Sequence, residues 1–189
     1  MPTDIRAVRP FPLCRSWMFV PGADEALLKQ AATCGADVLI QELEDFTPPE
    51  KRDAARSLAT DTYNAWRKDG AIAAVRINPM ADDGIADLAA VMKGRPDVIA
   101  LPKVRHAGHV RELDEAVSEH EIRLGIPSGA AKLLPNVESA EGLVNTLAIA
   151  TASERVIGCL LASEDLAADL GAERLPDCSE LDYARQRFL

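Results

Sequence analysis

The chain has 189 residues, 48% of them hydrophobic and 27% charged, which is the balance of one ordinary folded domain with a substantial core. A formal net charge of −9 with no basic run argues against a nucleic-acid partner, so an anionic ligand would have to meet a few local cations. No segment approaches the roughly 18 apolar residues of a membrane span, and Cys14, Cys34, Cys159 and Cys178 are too scattered for a metal, redox or disulfide framework, which predicts a cytoplasmic protein with reduced thiols.

Residues 1–14 read as an irregular leader, because Pro2, Pro10 and Pro12 interrupt them and no charged-then-apolar signal pattern is present. From there β-rich runs alternate with Ala/Leu/Glu-rich stretches of helical spacing. The runs Ser16–Val20, Val38–Leu43, Ile72–Ile77, Val98–Leu101, Leu133–Val137 and Arg155–Leu161 predict strands. Between them Glu25–Cys34, Glu50–Arg67, Ile85–Met92, Gly108–Ser118 and Ala140–Ala152 predict helices. Thr47, two prolines and Glu50 suggest a capped start for the second helix. No linker divides the chain, so residues 15–189 form one expected domain.

Strands alternating with helices predict βα units around a parallel sheet, either an open doubly wound sheet or most of a (β/α)8 barrel. No GxGxxG follows the first run, which counts against a dinucleotide fold. Polar residues gather instead after several different strands, as in a barrel whose strand ends build one site. A typical barrel needs roughly 250 residues, so the expected architecture is a TIM barrel cut short after about six βα units.

Glu138 and Asp165 follow two successive apolar runs, Lys132-Leu133-Leu134-Pro135-Asn136-Val137 and Val156-Ile157-Gly158-Cys159-Leu160-Leu161. If those runs are adjacent parallel strands, both carboxylates emerge at one rim. Two hard oxygen ligands with room for water and substrate suit Mg²⁺ better than zinc. The alternative is a pair of acids that stabilise helix N-termini.

Glu44 and Asp45 end the second run, where carboxylates can orient a hydroxyl, hold a metal-bound water or act as a base, or simply cap a loop. Glu42 alternates with Glu44, a spacing that places both on one acidic face of the strand. Arg76 lies among apolar residues inside the third run. A buried guanidinium needs anionic compensation, from a substrate carboxylate gripped bidentately or from Glu42 or Glu44. Lys103 could form a Schiff base, but an electrostatic or structural role at the rim fits it better beside a metal pair. His106, His109 and His120 fall on or near an expected surface helix and read as solvated.

Taken in order, these segments resemble citrate lyase β-subunit-like proteins of the HpcH/HpaI aldolase superfamily. Arg15-Ser16-Trp17-Met18-Phe19-Val20-Pro21-Gly22 is similar to the first-strand motif. Leu43-Glu44-Asp45, Val75-Arg76-Ile77-Asn78-Pro79 and Leu101-Pro102-Lys103-Val104 are similar to the next three. Val137-Glu138-Ser139-Ala140-Glu141-Gly142 and Ser163-Glu164-Asp165-Leu166 resemble the two metal-binding segments. The resemblance implies a (β/α)8 barrel, usually oligomeric, that cleaves or forms carbon–carbon bonds with Mg²⁺. It implies metal ligation by Glu138 and Asp165, keto-acid binding by Arg76, a pocket position for Phe19, and a place in the site for Glu44 and Asp45.

The implied substrates are hydroxy-acyl-CoA thioesters of the citryl, malyl or citramalyl type. Pyruvate-type aldolases are more distant relatives, and a non-catalytic barrel that binds a keto acid or a partner is the remaining alternative. Ala23-Asp24-Glu25 follows Pro21-Gly22 where many CoA-ester lyases of the superfamily carry an Arg, so that cation for the acyl or phosphate region is missing. Relatives also continue beyond Tyr183-Ala184-Arg185, with strands and C-terminal elements expected to complete the site.

Overall fold

The computed structural model describes residues 8–189, so residues 1–7 of the expected leader lie outside it. Residues 8–14 contain one short 3-10 turn, Phe11–Leu13. Strands and helices then alternate. They are β1 (Trp17–Pro21), α1 (Glu25–Ala31), β2 (Val38–Glu42), α2 (Arg52–Lys68), β3 (Ile72–Arg76), α3 (Ile85–Val91) and β4 (Val98–Leu101). Next come α4 (Ala107–Leu124), β5 (Lys132–Val137), α5 (Ala140–Val144), α6 (Thr146–Ala150), β6 (Leu160–Leu161), α7 (Ser163–Asp169) and α8 (Asp182–Phe188). The six strands form one sheet in the order β1-β2-β3-β4-β5-β6, parallel at every pairing.

The two-residue period of each strand sorts its side chains between two cores. Leu39, Ala73, Val75, Ile99 and Leu133 point to the helices and join the larger apolar cluster. Val38, Ile40, Ile72, Ala74, Val98, Ala100 and Leu134 form a second cluster on the opposite face, with Phe11, Trp17 and Phe19 packed against it. That second face carries no helix, yet Val38, Ile40, Ala74, Val98 and Ala100 are fully buried. The sheet therefore curls so that its inner side chains cover one another, giving a six-stranded partial barrel.

Helix α2 anchors the outer layer. Its Tyr63 and Trp66 are fully buried, and each polar tip finds a partner, as burial of a hydroxyl or an indole requires. The Tyr63 hydroxyl donates to Gln41 Oε1 at 2.8 Å, and Trp66 Nε1 donates to the Leu28 carbonyl at 2.9 Å. Gln41 in turn donates to the Gly22 and Ala55 carbonyls. The C-terminal end of β2 is thus pinned to β1 and to α2 by one amide.

Thr47 does not cap α2. Its hydroxyl donates to the Glu42 carbonyl and accepts from the Gly22 N–H at 3.1 Å. Pro48 and Pro49 follow it, and Pro49 has no N–H to offer a capping oxygen; a 3-10 turn at Pro49–Lys51 leads into the helix instead. The same junction explains Gly22. A Cβ there would sit 2.3 Å from the Glu42 carbonyl oxygen, so only glycine lets the end of β1 approach β2 this closely.

Two expected elements divide or shorten. The helix expected at Ala140–Ala152 breaks at Asn145 into α5 and α6. There the Asn145 amide donates to the Arg105 carbonyl at 2.9 Å. The strand expected at Arg155–Leu161 pairs continuously only at Leu160–Leu161, with one bridge between Val156 and Leu133. Val156 lies opposite Leu133, whereas Leu160 lies opposite Asn136. The β6 segment thus holds one residue more than its partner, a bulge around Ile157-Gly158-Cys159. Below the bulge, Arg155 is buried and forks onto Glu121 at 2.9 and 2.7 Å, with its Nε 2.6 Å from Asp114.

Candidate active site

The inner face is apolar along most of its height and turns polar at the C-terminal ends of the strands. Glu42 and Arg76, the last residues of β2 and β3, are opposite each other in the ladder. Arg76 Nε donates to Glu42 Oε1 at 2.8 Å, its Nη1 lies 3.4 Å from Glu44, and its Nη2 donates to Asp45 at 3.3 Å. Phe19 on β1 and Phe46 after β2 approach the guanidinium, with ring centroids 5.0 and 5.9 Å from its carbon. Cation–π attraction adds to the ion pairs at such distances. Three carboxylates thus compensate this buried Arg, the ion-pair arrangement that its sequence position left open. It still holds Asp45 only loosely, because the Asp45 side chain is 47% exposed.

Glu42 is fully buried and is the fixed point of the group. Besides Arg76, it accepts the backbone N–H groups of Glu44 and Phe46. Its carboxylate therefore shapes the loop that carries Glu44, Asp45 and Phe46. Asn78, two residues past β3, braces the same loop. Its amide donates to the Leu43 carbonyl and to the fully buried Asp87, which also accepts from Arg56.

Glu138 directly follows β5, and Asp165 lies in the first turn of α7, just after β6. Two backbone contacts hold these segments together: Ala162 N–H donates to the Val137 carbonyl, and Ala140 N–H donates to Asp169. The Glu138 carboxyl is pushed up to about 7, chiefly by burial and further by the negative charges of Glu44 and Asp165. Arg76 and the Lys103 backbone N–H oppose that shift without cancelling it. Glu138 Oε1 is buried without a hydrogen-bond partner among the described residues. An orphaned carboxylate oxygen among other carboxylates is what a hard divalent cation relieves. Among the described residues no three His, Cys, Asp or Glu side chains already converge as a closed cage. Two carboxylates at one rim fit a hard cation such as magnesium, which would complete its shell with water or ligand oxygens.

Lys103 links the two halves of the site. Its Nζ sits 2.6 Å from Glu44 Oε1, and its charge also interacts with that of Glu138. Its φ is 55°, a left-handed conformation that costs a non-glycine residue about 1 kcal/mol or more. Burial holds the Glu44 carboxyl above its usual range despite Lys103 and Arg76. Both Glu44 oxygens are buried without an aligned hydrogen bond, so its contacts with the two cations are ion pairs.

Asn136, two residues before Glu138 on the inner face, was not singled out by the sequence. It is fully buried, and neither amide atom has a hydrogen-bond partner among the described residues. Phe46 was missed too. The sequence signals for both were faint: a polar residue inside an apolar run, and an aromatic beside two acids. The His106 and His109 rings lie 4.0 Å apart, tilted by 43°, and His106 Nδ1 accepts the Gly108 N–H at the start of α4. A cavity of about 130 Å³ adjoins Lys103, lined also by Pro79, Leu101, Pro102 and Glu112. A larger one of about 340 Å³, lined by Arg67, Arg95 and Asp97, lies at the opposite end of the strands from the carboxylates.

Comparison with known proteins adds an independent line. The HpcH/HpaI aldolase/citrate lyase family matches residues 15–189. A citrate lyase subunit beta from Leuconostoc mesenteroides subsp. cremoris is 38% identical over 178 residues, 94% of this chain and 59% of that protein. A (3S)-malyl-CoA thioesterase from Cereibacter sphaeroides is 31% identical over 164 residues, 86% of this chain and 53% of that one. The chain thus spans only 53–59% of the length of these curated relatives. Among solved structures, the citrate lyase beta subunit from M. tuberculosis complexed with oxaloacetate and magnesium superimposes with a TM-score of 0.73 at 29% identity, over 95% of this chain and 74% of that one.

Proposed function

The chain belongs to the HpcH/HpaI aldolase/citrate lyase family, and from that membership we propose that it is a magnesium-dependent carbon–carbon lyase acting on a hydroxy-acyl-CoA of the citryl, malyl or citramalyl type. In this reading the six strands belong to a (β/α)8 barrel, in a cytoplasmic homo-oligomer. The observation that carries the reading is the buried Glu138 carboxyl, with one oxygen unpartnered and Asp165 close enough to raise its affinity for a proton.

Glu138 and Asp165 hold the metal. Bound there, magnesium supplies Lewis-acid polarisation of a keto acid's carboxylate and carbonyl oxygens. Arg76 keeps its Nε on Glu42 and offers Nη2 to the keto-acid carboxylate in place of the exposed Asp45. Glu44 and Asp45 are the candidate acceptors of the substrate's hydroxyl proton. Glu44 is the better base of the two, because burial raises its proton affinity. As that proton leaves, the carbon–carbon bond breaks to a keto acid and the enolate of the thioester. Phe19 and Phe46 confine the guanidinium and keep water from one side of it.

A second reading, cleavage of a free hydroxy-keto acid by a pyruvate-type aldolase route, draws support from the end of β1. There Asp24 accepts the Leu27 N–H as the cap of α1, and an acidic turn stands where a phosphate would want a cation. The two readings separate on whether cleavage needs the thioester. The test supplies the purified chain with Mg²⁺ and citryl-, malyl- and citramalyl-CoA beside free hydroxy-keto acids. Chelator-sensitive cleavage is expected, lost in Glu138→Gln and Asp165→Asn, with Mg²⁺ affinity by calorimetry falling in both. Unchanged Mg²⁺ affinity in both variants would sink the reading.

A further inference from the structure

Lys103 is the residue whose placement the mechanism above leaves unused. The site gathers five carboxylates, Glu42, Glu44, Asp45, Glu138 and Asp165, around two cations, Arg76 and Lys103. Arg76 is 7% exposed and has all three nitrogen atoms directed at acids. Only its contact with the exposed Asp45 can be exchanged for a ligand without stripping a buried carboxylate. It can therefore receive one incoming carboxylate, and a second anionic group on the same ligand must find another cation.

Lys103 meets that need. Its side chain is 54% exposed, and among the described residues its Nζ pairs with Glu44 alone, at 2.6 Å. An ammonium carries three donors, so two remain for a ligand. Lys103 sits between the two halves of the site, with its Nζ on Glu44 and its positive charge within electrostatic reach of Glu138. Its left-handed backbone, in a non-glycine residue, is a feature that functional sites retain at a cost.

We propose that Lys103 binds the second carboxylate of a dianionic keto acid, the one farther from the carbonyl, and so sets a preference for dicarboxylic over monocarboxylic keto acids. The inference rests on the magnesium and keto-acid reading of the site. A monoanionic keto acid would use the metal and Arg76 alone and gain little from Lys103.

The test is calorimetric titration of oxaloacetate and of pyruvate into the Mg²⁺-loaded chain, for the wild type, Lys103→Gln and Lys103→Arg. For Lys103→Gln, oxaloacetate should bind about tenfold more weakly and pyruvate less than about threefold more weakly, the difference being one charge-assisted hydrogen bond. Lys103→Arg should recover oxaloacetate binding to within about threefold of the wild type. Mg²⁺ titrated alone should bind Lys103→Gln at least as tightly as the wild type, since removing a positive charge favours the cation. Equal losses for both acids, no loss for oxaloacetate, or failure of the Arg variant to rescue would overturn the proposal. A wild-type chain that binds Mg²⁺ but neither acid would overturn the lyase reading and this proposal together, and that result is visible before any variant is made.

Discussion

Glu42 and Arg76 face each other across the β2–β3 ladder, and both are buried at the point where the inner face changes from apolar to charged. The Nε to Oε1 hydrogen bond of 2.8 Å is one of three that the Glu42 carboxylate accepts, the others coming from the Glu44 and Phe46 backbone. Breaking a buried pair by removing one partner strands the other charge. Glu42→Gln should therefore destabilise the chain by about 3–5 kcal/mol in urea melts. A variant as stable as the wild type would mean that Arg76 is compensated without Glu42.

Magnesium affinity should depend steeply on pH, because Glu138 must lose its proton to become a ligand. With its carboxyl pushed up to about 7, chiefly by burial, the apparent affinity should rise about tenfold per pH unit below 7 and level off above it. Calorimetry from pH 5.5 to 8.5 at fixed ionic strength would show the break. A profile that levels off near the ordinary carboxylate range would contradict the placement of Glu138.

The same carboxyl sets a trend in metal-free stability. Its proton is held more tightly in the folded chain, about 7, than at the ordinary value of 4.5. The contribution is fully present below about 4.5 and is lost as pH rises through about 7. At pH 8, Glu138→Gln should therefore be more stable than the metal-free wild type, by up to about 3 kcal/mol. The two should converge near pH 4. Thermal melts in the presence of a chelator would measure the difference.

Asn136 makes the opposite kind of prediction. A buried amide without partners costs free energy that an apolar side chain of similar shape does not. Asn136→Leu should stabilise the chain by about 1 kcal/mol, read as a raised melting temperature. A loss of stability would show that the amide is satisfied in solution.

Five of the six strands were legible to within a residue or two, because apolar runs between turn residues leave a strong signal even when both faces are buried. Val98–Leu101 is matched at both ends. The residues of the candidate site were legible as strand-end polar positions, and Arg76 as a guanidinium too buried to stand alone. Pairings across the fold were not. That Asp87 would hold Asn78, and Asn78 the Leu43 carbonyl, depends on how α3 lies against β3, which spacing along the chain does not encode. Thr47 looked like a cap because local motif and tertiary contact compete for one hydroxyl, and here the β1–β2 junction won. The left-handed turn at Lys103 carries no glycine or asparagine to announce it.

The extra residue in β6 works as an expansion joint. At one end of the segment Arg155 is locked into Asp114 and Glu121; at the other, Leu160 and Leu161 must pair with Asn136 and Val137 so that α7 delivers Asp165 beside Glu138. Side chains alternate with a strict period of two, so the two ends are out of phase by one residue, and the slack at Ile157-Gly158-Cys159 absorbs the mismatch. A chain shortened by one residue there would have to abandon either the Arg155 lock or the meeting of the two carboxylates. The alignment of Glu138 with Asp165 is thus set by chain length in a segment that carries neither of them.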